Sequence, residues 1–78
     1  MTRSMKLVYE AIKSGQRNGN LITITYKEIA RETGLQITLV SSCIRLLVRD
    51  SYIERINNFS ESGGAKTNSY KIRKSLED

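Results

Sequence analysis

Apolar positions along the chain fall into helical stripes separated by short alternating runs. Met5, Val8 and Ile12 recur at i, i+3 and i+7, and Leu7 and Ala11 widen that face. This predicts a helix over residues 4–14, with Ser4 as its cap and Gly15 closing it. Lys6, Glu10 and Lys13 lie off the face. Residues 16–20 (QRNGN) are polar with a turn glycine at Gly19, and predict a loop. Residues 21–25 (LITIT) alternate after Leu21 and are rich in β-branched side chains, so they predict a short strand. A second helix is expected over 26–33, and a third over 37–50, where Val40, Ile44 and Leu47 recur at i, i+4 and i+7 with Cys43 beside them. A second strand begins at Ile53. A third returns over Thr67–Ile72 with Tyr70 and Ile72 on one face. Between them Ser62-Gly63-Gly64 marks a hairpin tip. Residues 73–78 form a charged tail.

The rest of the chain is organised around Thr25 to Ile53 (TYKEIARETGLQITLVSSCIRLLVRDSYI). Thr25 and Glu28 have the Thr-x-x-Glu spacing of a capping box, in which each side chain satisfies a backbone N–H at the helix start. Ile29 and Ala30 face inward, and Ala30 is small enough for a second helix to cross closely. Gly34 follows the helix end, where the turn needs a left-handed residue.

Ala30, Gly34 and Val40 have the spacing of a helix-turn-helix, and the stretch resembles that family. In it a small residue mid-helix is followed four residues later by glycine, and six after that by a β-branched apolar residue. The following LVRDSYIERI resembles the end of a recognition helix running into the first wing strand of a winged helix, with Ser51 where glycine is common. The run Lys66-Thr67-Asn68-Ser69-Tyr70 resembles the return strand of some winged-helix proteins of plasmid and phage replication or regulation. The resemblance implies an α+β fold, a winged helix-turn-helix of three helices and a small antiparallel sheet, in the order α1-β1-α2-α3-β2-β3. It covers nearly all of residues 1–78, as one domain with a wing hairpin over 53–72.

Composition narrows the partners. The 78 residues carry 13 Lys or Arg against 8 Asp or Glu, a net charge of +5. This balance favours a polyanion, nucleic acid first and an acidic membrane surface second. One cysteine and no histidine leave neither an internal disulfide nor a Cys/His zinc site. Cys43, on the apolar stripe, is expected to be a small core residue. No apolar run approaches a membrane span of ~20 residues and no signal-peptide pattern opens the chain. The expectation is a cytoplasmic, non-enzymatic protein without cofactor, metal or small-molecule effector.

The resemblance implies that the third helix enters the major groove with its N-terminal half. The candidate base-reading residues are Gln36, Ile37, Thr38, Ser41, Ser42 and Arg45: Gln36 suits adenine, Arg45 guanine or a phosphate, and Ile37 a thymine methyl. The first half of that helix carries no positive charge, so affinity must come from phosphate contacts elsewhere. Candidates are Lys27 at the start of helix two, Arg49 late in the third helix, Arg55 and Lys71 on the wing strands, Lys66, Thr67 and Asn68 at the wing, and Arg73 and Lys74 in the tail. The function implied is double-stranded DNA binding by a transcription regulator, repressor or activator, with a homodimer expected on DNA or in solution. Two alternatives remain at this point. One is a replication or partition factor. The other is a protein-interaction module using the apolar start of the third helix, Ile37 to Leu39.

Overall fold

The computed structural model describes residues 2–57 and 68–74. The elements are α1 (Arg3–Lys13), β1 (Gln16–Asn18), β2 (Leu21–Ile24), α2 (Tyr26–Thr33), α3 (Ile37–Arg49), β3 (Ile53–Asn57) and β4 (Asn68–Ile72). Among the described residues, three helices accompany one four-stranded antiparallel sheet in the order β1-β2-β4-β3, an α+β fold. The expected order is therefore corrected by one strand. Gln16–Asn18 is a strand, not a loop, and it pairs with β2 through Gln16↔Thr23, Arg17↔Ile22 and Asn18↔Leu21. All three of its residues are exposed. Such a strand has no apolar alternation to betray it and exists because its backbone completes the edge of β2. Gly19 (φ 65°) turns the hairpin at the first loop position, where two-residue hairpins favour glycine.

One helix start and one strand end also shift. α1 starts at Arg3, because the Thr2 hydroxyl, not Ser4, accepts from the Met5 N–H at 3.1 Å. Strand β2 stops at Ile24, since Thr25 turns to cap α2. There the Thr25 hydroxyl accepts from the Glu28 N–H at 3.0 Å and donates to the Glu28 carboxylate at 3.2 Å, so the reciprocal arm of the box closes on the side chain. Gly34 closes α2 in the left-handed region (φ 75°), donating its N–H to Ala30.

Among the described residues the core is one cluster. Val8 and Ile12 of α1, Ile29 of α2, and Val40, Ile44 and Leu47 of α3 pack with Ile22, Ile53 and Tyr70 of the sheet, all fully or almost fully buried. Each large aliphatic side chain so buried contributes ~1.5–3 kcal/mol relative to exposure. Tyr9 joins this core, and its hydroxyl donates to the Lys74 carbonyl at 2.6 Å, tying the chain beyond β4 back onto α1. Leu7, expected on the buried face of α1, is exposed instead, because that face is centred on Met5, Val8, Tyr9 and Ile12. Gly15 fits a tight corner: a Cβ there would meet the Ile22 side chain at 2.8 Å.

α3 ends at Arg49 in a Schellman motif: the Tyr52 N–H donates to Leu47 and the Ser51 N–H to Val48. Ser51 is the left-handed residue of that motif, with φ 65°. A side chain costs roughly 1–2 kcal/mol in this conformation, partly offset by the greater chain entropy glycine loses on folding. Ser51→Gly is therefore expected to stabilise the fold by about 0.5–1 kcal/mol, read as a rise of a few degrees in the thermal midpoint. A lower midpoint would mean that the Ser51 side chain makes a compensating contact.

Candidate nucleic-acid interface

α3 is fixed by the buried row Val40, Cys43, Ile44 and Leu47. At about 100° per residue, the opposite side of the helix is the row Thr38, Ser42, Arg45 and Arg49, at i, i+4, i+7 and i+11. All four are exposed. No acidic residue occurs between Ile37 and Arg49. The Ser42 hydroxyl donates to the Thr38 carbonyl at 3.1 Å, so its proton is turned along the helix and its lone pairs face outward. Ser42, Arg45, Leu46 and Arg49 line an open groove of about 480 Å³ along this side. Gln36, Ile37 and Thr38 are exposed at the start of the helix, and the Gln36 amide makes no capping bond. Ser41 is half-buried on the flank of the helix, off the outward row.

The phosphate candidates divide between locations. Lys27 is exposed in the first turn of α2. Arg55 is exposed on β3 and donates from Nη1 to the Tyr26 hydroxyl at 3.0 Å, bridging the sheet to the start of α2. Having accepted from the guanidinium, that hydroxyl keeps its own proton to donate. Tyr26 is the residue sequence reasoning missed, since nothing marks a tyrosine after a helix cap as a polar partner.

Arg49 lies 3.3 Å from Asp50, but both side chains are well exposed, so the pair holds it weakly. Cross-strand partners share a sheet face, which puts Arg55 with Ile22 and Tyr70, and Lys71 with Glu54 on the other side. Lys71 is half-buried there. Arg73 is drawn to Glu54 at 3.0 Å, and the Lys74 ammonium stands 4.7 Å from the centre of the Tyr52 ring. Asn68 opens β4 opposite Ile24 and Asn57. Lys66, Thr67 and the expected wing tip lie outside the described residues.

The described residues hold twelve of the thirteen basic side chains but five of the eight acidic ones. Four of those five are engaged: Glu28 by Thr25, Glu32 by Ser14, Asp50 by Arg49 and Glu54 by Arg73. Cys43 is buried, and burial pushes its thiol pKa up, so it stays neutral and packs as an apolar residue. Among the described residues no group of three His, Cys, Asp or Glu could hold a metal, and no helix is long and apolar enough to cross a membrane.

The site is thus an acid-free, basic helix face on a small α+β scaffold. No family model and no curated protein matches the sequence. Among solved structures, the fold is similar to that of a possible transcriptional regulator from Methanosarcina mazei Go1. The TM-score is 0.66 at 16% identity, over 95% of this chain and 57% of that one. The likeness is therefore one of fold, and this chain spans little more than half of that protein's length.

Proposed function

We propose that the chain is a winged helix-turn-helix domain that binds double-stranded DNA as the reading module of a transcription regulator. α3 lies in the major groove, and the β3–β4 hairpin is the wing, riding on the backbone or in the minor groove. The observation that carries this reading is the outward row of α3: two arginines and two hydroxyls, with no acid along thirteen residues. A solvated helix needs no such exclusion of carboxylates, whereas a helix that meets phosphates does. The fold shared with a possible transcriptional regulator supports the same reading. Lys27 and Arg55 supply backbone contacts beside α3, with Lys66, Thr67, Asn68 and Lys71 contributing from the wing. Two copies bind as a homodimer on a two-fold site, since a module of this size makes few contacts alone.

Binding to a random duplex pool, measured from 50 to 200 mM salt, tests the proposal. If Lys27, Arg45, Arg49 and Arg55 each neutralise a phosphate, the log–log slope is about −3.6 per protomer, an affinity loss of roughly a hundredfold across that range. A flat response, or no retention at the lowest salt, would sink the DNA reading.

A further inference from the structure

Four large apolar side chains stand exposed among the described residues: Leu7, Ile37, Leu39 and Val48. Two of them sit in the first turn of α3. Ile37 is 50% exposed and Leu39 40%, and they flank the exposed Thr38 at about 100° on either side. The start of α3 therefore presents three methyl-bearing side chains, with Ile37 and Leu39 on opposite flanks of Thr38. Gln36 stands beside them, its amide not spent on the helix cap. The first cation of the helix is Arg45, more than two turns further on.

Each base pair shows the major groove a different set of groups. Guanine O6 and N7 are met by arginine or lysine, adenine N6 and N7 by a glutamine or asparagine amide, and the thymine methyl by an apolar contact. The first turn of α3 holds the amide and the apolar groups and lacks the cation. We infer that this turn selects A·T base pairs: Ile37 and Leu39 pack on thymine C5-methyl groups and the Gln36 amide pairs with adenine. The inference rests on α3 being the groove helix. Charge favours DNA over a protein partner as occupant, because the apolar pair opens a helix whose outward row is basic and free of acid. Leu39 is the addition: it doubles the methyl-reading surface over Ile37 alone.

The experiment runs two selections with the full 78-residue chain, one from a random duplex pool made with thymine and one from a pool made with deoxyuracil, which lacks only the methyl. The expected result is an A·T-containing motif from the first pool. The same duplex rebuilt with uracil should bind about threefold to fivefold more weakly per methyl contacted, since one buried methyl is the difference. Ile37→Ala and Leu39→Ala should each bind the thymine duplex more weakly and lose part of the thymine–uracil difference, which a merely structural role would not erase. Retention of both pools with one common motif and equal affinity would overturn the inference while leaving DNA binding intact, and would return the apolar pair to a protein partner. A motif without A·T pairs opposite α3 would overturn it too. Failure of both pools to bind at low salt would remove the inference together with the reading beneath it.

Discussion

Replacing Ile44 with alanine is expected to lower the stability of the fold by about 2–5 kcal/mol. Ile44 is fully buried in the middle of α3, within the cluster formed by α1, α2 and the sheet. Alanine removes three carbons from a site walled by three helices and a sheet, which cannot all move in to fill it. A chain of this length has a total stability of about 4–12 kcal/mol, so the loss is a large share of the whole. The thermal midpoint should fall by roughly 10–30 °C, measured by far-ultraviolet circular dichroism. Ile44→Val, which removes one methylene, should cost only about 0.5–1.5 kcal/mol. A midpoint within a few degrees of wild type for Ile44→Ala would mean that α3 does not sit on this row. The outward assignment of Thr38, Ser42, Arg45 and Arg49 would then fail with it.

The parts of this fold legible in the sequence are those written in local chemistry. Val40, Ile44 and Leu47 advertise their helix by spacing, Gly34 its turn by conformational freedom, and Thr25 the start of α2 by its spacing to Glu28. What escaped was decided by tertiary closure. Strand β1 is polar throughout and exists only because β2 offers it an edge. Thr2 and Ser4 are equally able caps, and the register of the α1 core face, with Tyr9 inside and Leu7 outside, chose between them. Tyr9 earns its burial through a hydrogen bond to Lys74, 65 residues away, a distance no local pattern spans. At the candidate interface the same division holds. The outward row follows from helical periodicity, so Thr38, Ser42 and Arg45 could be named from spacing. The Tyr26–Arg55 bridge joins residues 29 apart and could not. Ser51 is the intermediate case. The winged-helix resemblance marked its position as one where glycine is common, but its left-handed conformation comes from the Schellman motif, which no local pattern announced.

Arg45→Ala is expected to weaken DNA binding by roughly tenfold to a hundredfold, and the manner of the loss identifies the contact. Arg45 is exposed at the centre of the outward row of α3, and it is the first cation the helix offers. If it grips guanine O6 and N7, its removal costs ~1–3 kcal/mol against that base alone. Preference at one position of the motif then collapses, while other positions keep theirs. If it meets a phosphate, binding weakens evenly across sequences and the salt slope becomes shallower by about one. Arg49 supplies the contrast. It shares its charge with Asp50 at 3.3 Å, so Arg49→Ala also leaves that carboxylate unopposed near the duplex. The expected result for Arg49→Ala is an even loss without change of motif, whereas Arg45→Ala, lying closer to the methyl-bearing first turn, relaxes the motif. Neither variant touches the core, so both should melt within about 0.5 kcal/mol of wild type. Unchanged affinity in Arg45→Ala, with the fold intact, would remove the outward face of α3 from the interface.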